Sequence, residues 1–107
     1  MRRAFLSVLP DGPFVEIGAR VEIGRARTCE LLLSSARVSR HHAEVTRSGD
    51  VFVARDLGNS GGTYLQRPDG KLEKIRVRSL EDGDRLHFID FIVVFTFDEP
   101  LVPRLDP

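Results

Sequence analysis

The chain has 107 residues, enough for one domain with a single hydrophobic core and too few for two. Its 16 basic and 16 acidic side chains cancel, so no overall charge attracts it to nucleic acid or to an acidic membrane. Its one cysteine, Cys29, argues against an intramolecular disulfide and a Cys-based zinc site, and is consistent with a cytoplasmic protein.

Short apolar runs separated by turn residues dominate the chain. The first run, Ala4 to Leu9, is too short for a signal-peptide core or a membrane span. Ser48-Gly49-Asp50 indicates a hairpin, and Arg67-Pro68-Asp69-Gly70 is a strong turn sequence. Strands at this spacing, without long helical patterns between them, predict an all-β sandwich or barrel. The predicted strands are 4–9, 14–17, 21–23, 43–45, 51–54, 64–66, 72–77, 86–89 and 91–97.

The segment from 25 to 48 contains neither Gly nor Pro and is harder to interpret. Cys29, Leu32, Leu33 and Ala36 have helical spacing, and Thr28 is a suitable helix cap. The β-branched residues further along favour a strand, a loop and a second strand instead. Local propensity leaves both alternatives open.

The C-terminal residues 99–107 include three prolines and show no periodicity. They are predicted to form a tail or linker, which leaves 1–98 as the folded domain. The chain is then expected to be a monomeric module, with the option that it is the N-terminal part of a larger protein.

Positive charge is concentrated between Gly24 and Arg47. Five arginines and two glutamates give this stretch a charge of +3 in a chain whose net charge is zero. Ser39 lies among them, and Ser60-Gly61-Gly62-Thr63 adds hydroxyl groups beside a glycine backbone that a ligand can approach closely. Guanidinium groups, hydroxyls and exposed N–H groups are the donors that bind a phosphate dianion. The arginines are Arg25, Arg27, Arg37, Arg40 and Arg47.

Three motifs in this order are similar to the signature of forkhead-associated (FHA) domains. They are Gly24-Arg25, then Ser39-Arg40-His41-His42, then Gly61-Gly62-Thr63, and the turn from Leu80 to Leu86 is also similar. The family pattern has a Gly-Arg, a Ser-x-x-His and an Asn-Gly-Thr, so two blocks match fully and the third in part. The resemblance covers residues 4 to 97. It implies a β-sandwich of two sheets and about 11 strands, with ligand loops at one end that bind phosphothreonine peptides.

The resemblance also implies residue roles. Arg25 and Ser39 would bond the phosphate oxygens, and Arg40 and Ser60 would add contacts. The segment from Thr28 to Leu33 would be a strand. The loop-shaping and supporting residues would be Gly62 and Thr63 for the turn, Gly24 for close packing, and His42 as a support that holds the Ser39 loop without touching the ligand.

One position departs from the family pattern. Gly61 stands where the family has the Asn that hydrogen-bonds the peptide main chain. Loss of one such bond weakens affinity by about three- to tenfold. Asn59 is a candidate substitute, although an Asx-turn is its simpler role.

The predicted function is therefore a phosphothreonine-dependent adaptor in serine/threonine kinase signalling. The alternative is a phosphate-independent interaction module of a regulatory or secretion assembly. An esterase based on Ser39 and His42 lacks an orienting carboxylate motif, so no enzyme activity is expected. His41-His42 has no further Cys or His at metal-binding spacing, so neither a metal nor a cofactor is expected. The expected partner is a phosphothreonine-bearing protein, with no nucleic acid and no membrane.

Overall fold

The computed structural model describes residues 2–58 and 61–101. Within these residues the chain forms eleven β-strands and no helix, so none has the length and hydropathy to span a membrane. The strands are β1 (Ala4–Val8), β2 (Phe14–Glu16), β3 (Arg20–Gly24), β4 (Leu31–Leu32), β5 (Ala43–Ser48), β6 (Val51–Asp56), β7 (Thr63–Gln66), β8 (Leu72–Ile75), β9 (Val77–Ser79), β10 (Arg85–Phe88) and β11 (Phe91–Phe97).

The strands form two sheets. The six-stranded sheet has the order β2-β1-β11-β10-β7-β8, and the five-stranded sheet has the order β4-β3-β5-β6-β9. Neighbouring strands are antiparallel, except that β3 and β4 are parallel. The predicted two-sheet, all-β architecture is confirmed.

The core lies between the sheets and is built by alternation along the strands. In β3, β5 and β10 every second side chain is buried, which is the period of a strand with one solvated face. Phe52 from one sheet and Phe95 from the other are fully buried, with ring centroids 5.3 Å apart. Such a contact between the inner faces holds the sheets together mainly by burial of apolar surface.

The part of segment 25–48 that could have been a helix or a strand, residues 28–33, contains a strand. Cys29, Leu31 and Leu33 are buried, whereas Leu32 is 42% exposed, so burial alternates with period two. Only Leu31 and Leu32 make the ladder of β4, so the strand is shorter than the predicted span of 28–33. The helical spacing of the apolar residues was misleading because one of three consecutive leucines faces solvent.

The predicted strand 72–77 is two strands in different sheets. β8 pairs with β7 in the six-stranded sheet, and β9 pairs with β6 in the five-stranded sheet. The chain crosses between the sheets at Arg76, where a bend interrupts the strand pairing. A continuous strand-like sequence gives no indication of this crossing.

Sheet register brings the candidate loops to one end of the sandwich. Ile23 of β3 is paired with Ala43 at the start of β5, and Ala43 is paired with Asp56 at the end of β6. The segments that follow β3, precede β5 and follow β6 therefore all lie at the same end of the sheet. Thr63 at the start of β7 continues from the last of these segments into the other sheet.

Candidate functional site

Backbone hydrogen bonds join the segment after β3 to the segment before β5. The Arg25 amide donates to the Ser39 carbonyl and the Ala26 amide donates to the Arg40 carbonyl, both at 3.0 Å. The two segments thus lie side by side, although Ser39 follows Ala26 by 13 positions in the sequence. This arrangement brings Arg25, Ser39 and Arg40 to one surface.

Gly24 is required by the close approach of these segments. A Cβ atom at this position would lie 2.2 Å from the Arg40 carbonyl oxygen and 2.9 Å from that of Ser39. Both contacts are with backbone, which cannot rotate away as a side chain can. The glycine before Arg25 is therefore a packing requirement, in keeping with the supporting role expected for it.

The guanidinium-bearing residues of this surface are available to an anion. Arg25 and Arg40 are exposed, and neither forms an ion pair within residues 2–58 and 61–101. Arg25 Nε donates to the Val38 carbonyl at 3.1 Å, which fixes the direction of the side chain beside Ser39. Ser39 itself is half-buried.

Two of the clustered arginines do not contribute free charge to this surface. Arg37 pairs with Asp90 at 3.1 Å and is thereby tied to the β10–β11 turn. Arg47 lies near the far end of β5, where it contacts the Arg2 carbonyl and pairs with Asp50 at 3.6 Å. The charge of +3 counted along the sequence is therefore not all located at the loops, because β5 carries Arg47 to the opposite end of the sandwich.

His42 is fully buried between the loops. Its Nδ1 accepts a 3.1 Å hydrogen bond from the Ser39 amide, so Nε2 carries the ring proton and donates to the Gly62 carbonyl at 2.8 Å. The ring also packs edge-on against Phe88, with centroids 5.2 Å apart. Both ring nitrogens are engaged with backbone groups, and it is the amide of Ser39 that faces the imidazole. Among the contacts of residues 2–58 and 61–101, His42 bonds the backbone amide of Ser39 and not its hydroxyl.

Hydrogen bonds to Asp56 hold the base of the third loop, which joins β6 to β7. Thr63 is fully buried, and its hydroxyl donates to Asp56 Oδ2 at 2.7 Å, while the Gly58 amide donates to Asp56 Oδ1 at 2.7 Å. Gly62 has a φ of +76°, a conformation that favours glycine. Gly61 is exposed. The predicted contacts of Asn59 and Ser60 lie outside the described residues.

A second group of polar side chains lies behind the Ser39 segment and was not found from the sequence. His41 Nδ1 lies 2.6 Å from Glu22 Oε1, and Cys29 Sγ lies 3.6 Å from the same oxygen. Burial and the neighbouring Glu22 carboxylate raise the pKa of Cys29 to about 11. Hydrogen bonds from His41 and Arg20 lower the pKa of Glu22. The three side chains come from separate segments, so no short sequence motif predicts that they lie together.

Taken together, the loop surface offers the guanidinium groups of Arg25 and Arg40 and the hydroxyl of Ser39 in one place. These donors suit an anion of concentrated charge, and Arg can bond two oxygens of a phosphate at once. Arg25 and Arg40 stand exposed on this surface, whereas two surface pockets, of about 330 and 340 Å³, lie around Arg67. An exposed anionic group on a larger partner therefore fits the loop surface best.

The amino-acid sequence matches one family model and several known proteins. The FHA domain model matches residues 21–89. The transcriptional regulatory protein EmbR of Mycobacterium tuberculosis is 39% identical over 80 residues, which are 74% of this chain and 19% of EmbR. An oxoglutarate dehydrogenase inhibitor of Corynebacterium jeikeium is 35% identical over 72 residues, 67% of this chain and 46% of the inhibitor. The chain thus spans less than half the length of either relative.

Solved structures agree. The structure of M. tuberculosis EmbR in complex with a low-affinity phosphopeptide superposes with a TM-score of 0.78 at 32% identity, covering 88% of this chain and 24% of EmbR. The FHA domain of FhaA, solved with the intracellular domain of Rv3910, has a TM-score of 0.77 at 22% identity. That pair covers 86% of this chain and 98% of the FhaA domain, and it supports the fold.

Proposed function

The chain belongs to the FHA domain family, and on that premise we propose that it is an adaptor module that binds a phosphothreonine-bearing protein in serine/threonine kinase signalling. Binding is reversible and requires no cofactor. Residues 1–98 form the binding module, residues 99–107 are a tail or linker, and the module acts as a monomer in the cytoplasm.

One observation carries the proposal. Arg25 and Arg40 lie on either side of Ser39, on two segments joined by backbone hydrogen bonds, and neither arginine is neutralised by a carboxylate in the described part of the chain. Some other exposed arginines are paired, as Arg20 and Arg37 are, and others lie far from the loops without an ion pair in that same part of the chain, as Arg85 does. The position beside Ser39 is what distinguishes Arg25 and Arg40. Two guanidinium groups without ion-pair partners, beside a hydroxyl, are the arrangement expected for binding a phosphate dianion. Recognition of phosphorylated motifs by arginines is a general binding mode, and this family is one example of it.

Each site residue has a separate role in this proposal. Arg25 and Ser39 bond the phosphate oxygens, Arg40 supplies a second cation, and Ser60 adds a hydroxyl from the third loop. Gly61 reduces the hydrogen bonding to the peptide main chain that the family Asn provides, with Asn59 as its candidate substitute. The expected binding is thus phosphate-dependent and weaker than that of a domain with the Asn.

A phosphate-independent interaction module is the second candidate, and Gly61 is the observation that favours it. A loop without the family Asn has less means of holding a peptide main chain, whatever the state of the phosphate site. Arg25 and Arg40 count against this candidate, because they place two positive charges beside the Ser39 hydroxyl, where a phosphate group would bind.

Titration of the whole chain against phosphothreonine, phosphoserine and unphosphorylated forms of one degenerate peptide library tests the proposal. Preference for the phosphothreonine form supports it, and equal binding of all three forms refutes it in favour of the second candidate. Arg25→Ala is expected to abolish measurable preference.

Arg85→Ala is the matched control for this titration. Arg85 is exposed, lies at the start of β10 and forms no ion pair among the described residues, so its loss removes the same charge far from the loops. If Arg85→Ala and Arg25→Ala weaken binding equally, the effect is one of overall charge and the proposed site is wrong.

A further inference from the structure

We propose that Glu22, Cys29 and His41 form a binding site for Zn²⁺ behind the Ser39 segment. Their potential ligand atoms, a carboxylate oxygen, a thiol sulfur and an imidazole nitrogen, all lie within 4.8 Å of one another. The three residues come from β3, from the segment before β4 and from the segment before β5, so the fold alone brings them together.

The distances are close to those that a tetrahedral ion needs. With Zn–S near 2.3 Å and Zn–N and Zn–O near 2.0 Å, neighbouring ligand atoms lie about 3.2–3.8 Å apart. Glu22 Oε1 is 3.6 Å from Cys29 Sγ and 2.6 Å from His41 Nδ1. The Glu22–His41 distance must widen, and the Cys29–His41 distance, which lies within 4.8 Å, must come to about 3.5 Å. His41 can turn to meet both requirements because 49% of its side chain is exposed. A water molecule would supply the fourth ligand.

The donor types select the ion. A thiolate and an imidazole favour Zn²⁺ over the hard cations Mg²⁺ and Ca²⁺, which prefer oxygen ligands. One carboxylate and one thiolate balance the two positive charges of the ion, with His41 neutral. On binding, the Cys29 S–H bond breaks, the Zn–S bond forms, and the thiol proton leaves to solvent.

The surroundings of Glu22 orient its carboxylate for this role. Arg20 Nη2 donates to Oε2 at 2.8 Å, which directs Oε1 towards Cys29 and His41. The Glu22 amide in turn donates to Glu30 Oε1 at 2.7 Å, and this places a further carboxylate beside the group. Outer hydrogen bonds that fix the direction of a ligand are a regular feature of metal sites.

The site would bear directly on the segment that carries Ser39 and Arg40. The Cys29 thiol, which has one proton, donates to the Arg40 carbonyl at 3.3 Å. A zinc-bound thiolate has no proton to donate, so that hydrogen bond is replaced by a bond from the ion to Cys29 and to His41, the residue after Arg40. The ion would link β3 to the loop without contacting a bound phosphate.

The test uses the whole chain freed of metal with a chelator and then titrated with Co²⁺ and with Zn²⁺ alone. The expected result is one equivalent of bound ion, a thiolate-to-cobalt charge-transfer band and the visible bands of a tetrahedral Co²⁺ centre. Because Cys29 is the one cysteine, that band reports this site and no other. Absence of the band in the wild-type protein overturns the proposal without recourse to any variant.

Variants identify the ligands. Cys29→Ser is expected to abolish the band, and His41→Gln to lower Zn²⁺ affinity by at least about tenfold, the lower end of the cost of even an outer-shell change. His87→Gln is the control, since His87 contacts Gln66 on the opposite sheet. Circular dichroism establishes that each variant is folded. If Cys29→Ser binds Zn²⁺ as tightly as the wild type, or if His87→Gln weakens it as much as His41→Gln does, Glu22, Cys29 and His41 form only an ion pair beside a buried thiol.

Discussion

The hydroxyl of Thr63 donates a 2.7 Å hydrogen bond to a carboxylate oxygen of Asp56, and this bond closes the base of the loop between β6 and β7. Because Asp56 ends a strand of one sheet and Thr63 begins a strand of the other, the bond also links the two sheets at the end that carries the proposed site.

Replacing Thr63 by Val keeps the shape of the buried side chain and removes its hydroxyl. We expect Thr63→Val to lower the free energy of unfolding by about 1–3 kcal/mol, because Asp56 loses a buried donor. Urea unfolding measures the change. Thr63→Ser, which retains the hydroxyl, is expected to lose less. A larger loss in Thr63→Ser than in Thr63→Val would indicate that packing of the methyl group, and not the hydrogen bond, stabilises the loop.

Gly24→Ala is expected to destabilise the fold and to abolish phosphopeptide binding. Its Cβ would lie 2.2 Å from the Arg40 carbonyl oxygen, so the two segments must separate, at a cost of about 1–3 kcal/mol or more. Gly18→Ala is the control, because nothing lies within 4 Å of a Cβ at Gly18. Urea unfolding and peptide titration check both. The prediction is wrong if the two alanine variants are equally stable.

Gly61→Asn restores the family residue in the third loop. We expect the phosphopeptide to bind about three- to tenfold more tightly, the gain from one net hydrogen bond to its main chain. Isothermal titration calorimetry with one phosphothreonine peptide measures it. Gly49→Asn, in the hairpin turn after β5, should leave the affinity unchanged, since this turn is at the opposite end of β5 from the loops. Asn tolerates the positive φ of Gly49, +62°, better than most residues do. No gain for Gly61→Asn would mean that the loop serves a different kind of contact.

Alkaline pH should destabilise the metal-free protein through Cys29. Its pKa is raised from 9.0 to about 11, first by burial, so the native thiol retains a proton that the unfolded chain has lost. The contribution of the protonated Cys29 thiol to the free energy of unfolding is fully present below about pH 9. It is lost as the pH rises from about 9 to about 11. Urea unfolding across this interval measures it, and Cys29→Ser should show a smaller decline. An identical decline would assign the effect to other groups.

Much of the fold could be predicted from the sequence because burial in β3, β5 and β10 follows the alternation of apolar residues. The prediction was weakest where that alternation is missing. Three consecutive leucines conceal that Leu32 faces solvent between buried Leu31 and Leu33, and the run from Leu72 to Val77 conceals a change of sheet. In both places tertiary packing decides, and local pattern carries no information about it.

For the candidate site, the resemblance to FHA domains was needed to identify Gly24, Arg25, Ser39 and Arg40 as neighbours, because residue type and local charge alone also fit an ordinary basic surface. Sequence position was a poor guide to charge, because β5 removes Arg47 from the loops and Asp90 neutralises Arg37. The contact of Glu22 with Cys29 and His41 could not be predicted from the sequence. Cys29 follows Glu22 by 7 positions and His41 follows Cys29 by 12, and the three side chains meet only because of the sheet register.

The position of His42 has a consequence for the speed of binding. Its imidazole accepts from the Ser39 amide on one side and donates to the Gly62 carbonyl on the other, so Ser39 and Gly62 are held in one relative position before any partner arrives. Partners that meet a surface already in its bound shape associate at roughly 10⁵–10⁷ M⁻¹ s⁻¹, and sequence preference then appears in how long each complex lasts. We therefore expect phosphopeptides of different sequence to be captured at similar rates and to be distinguished by their residence times.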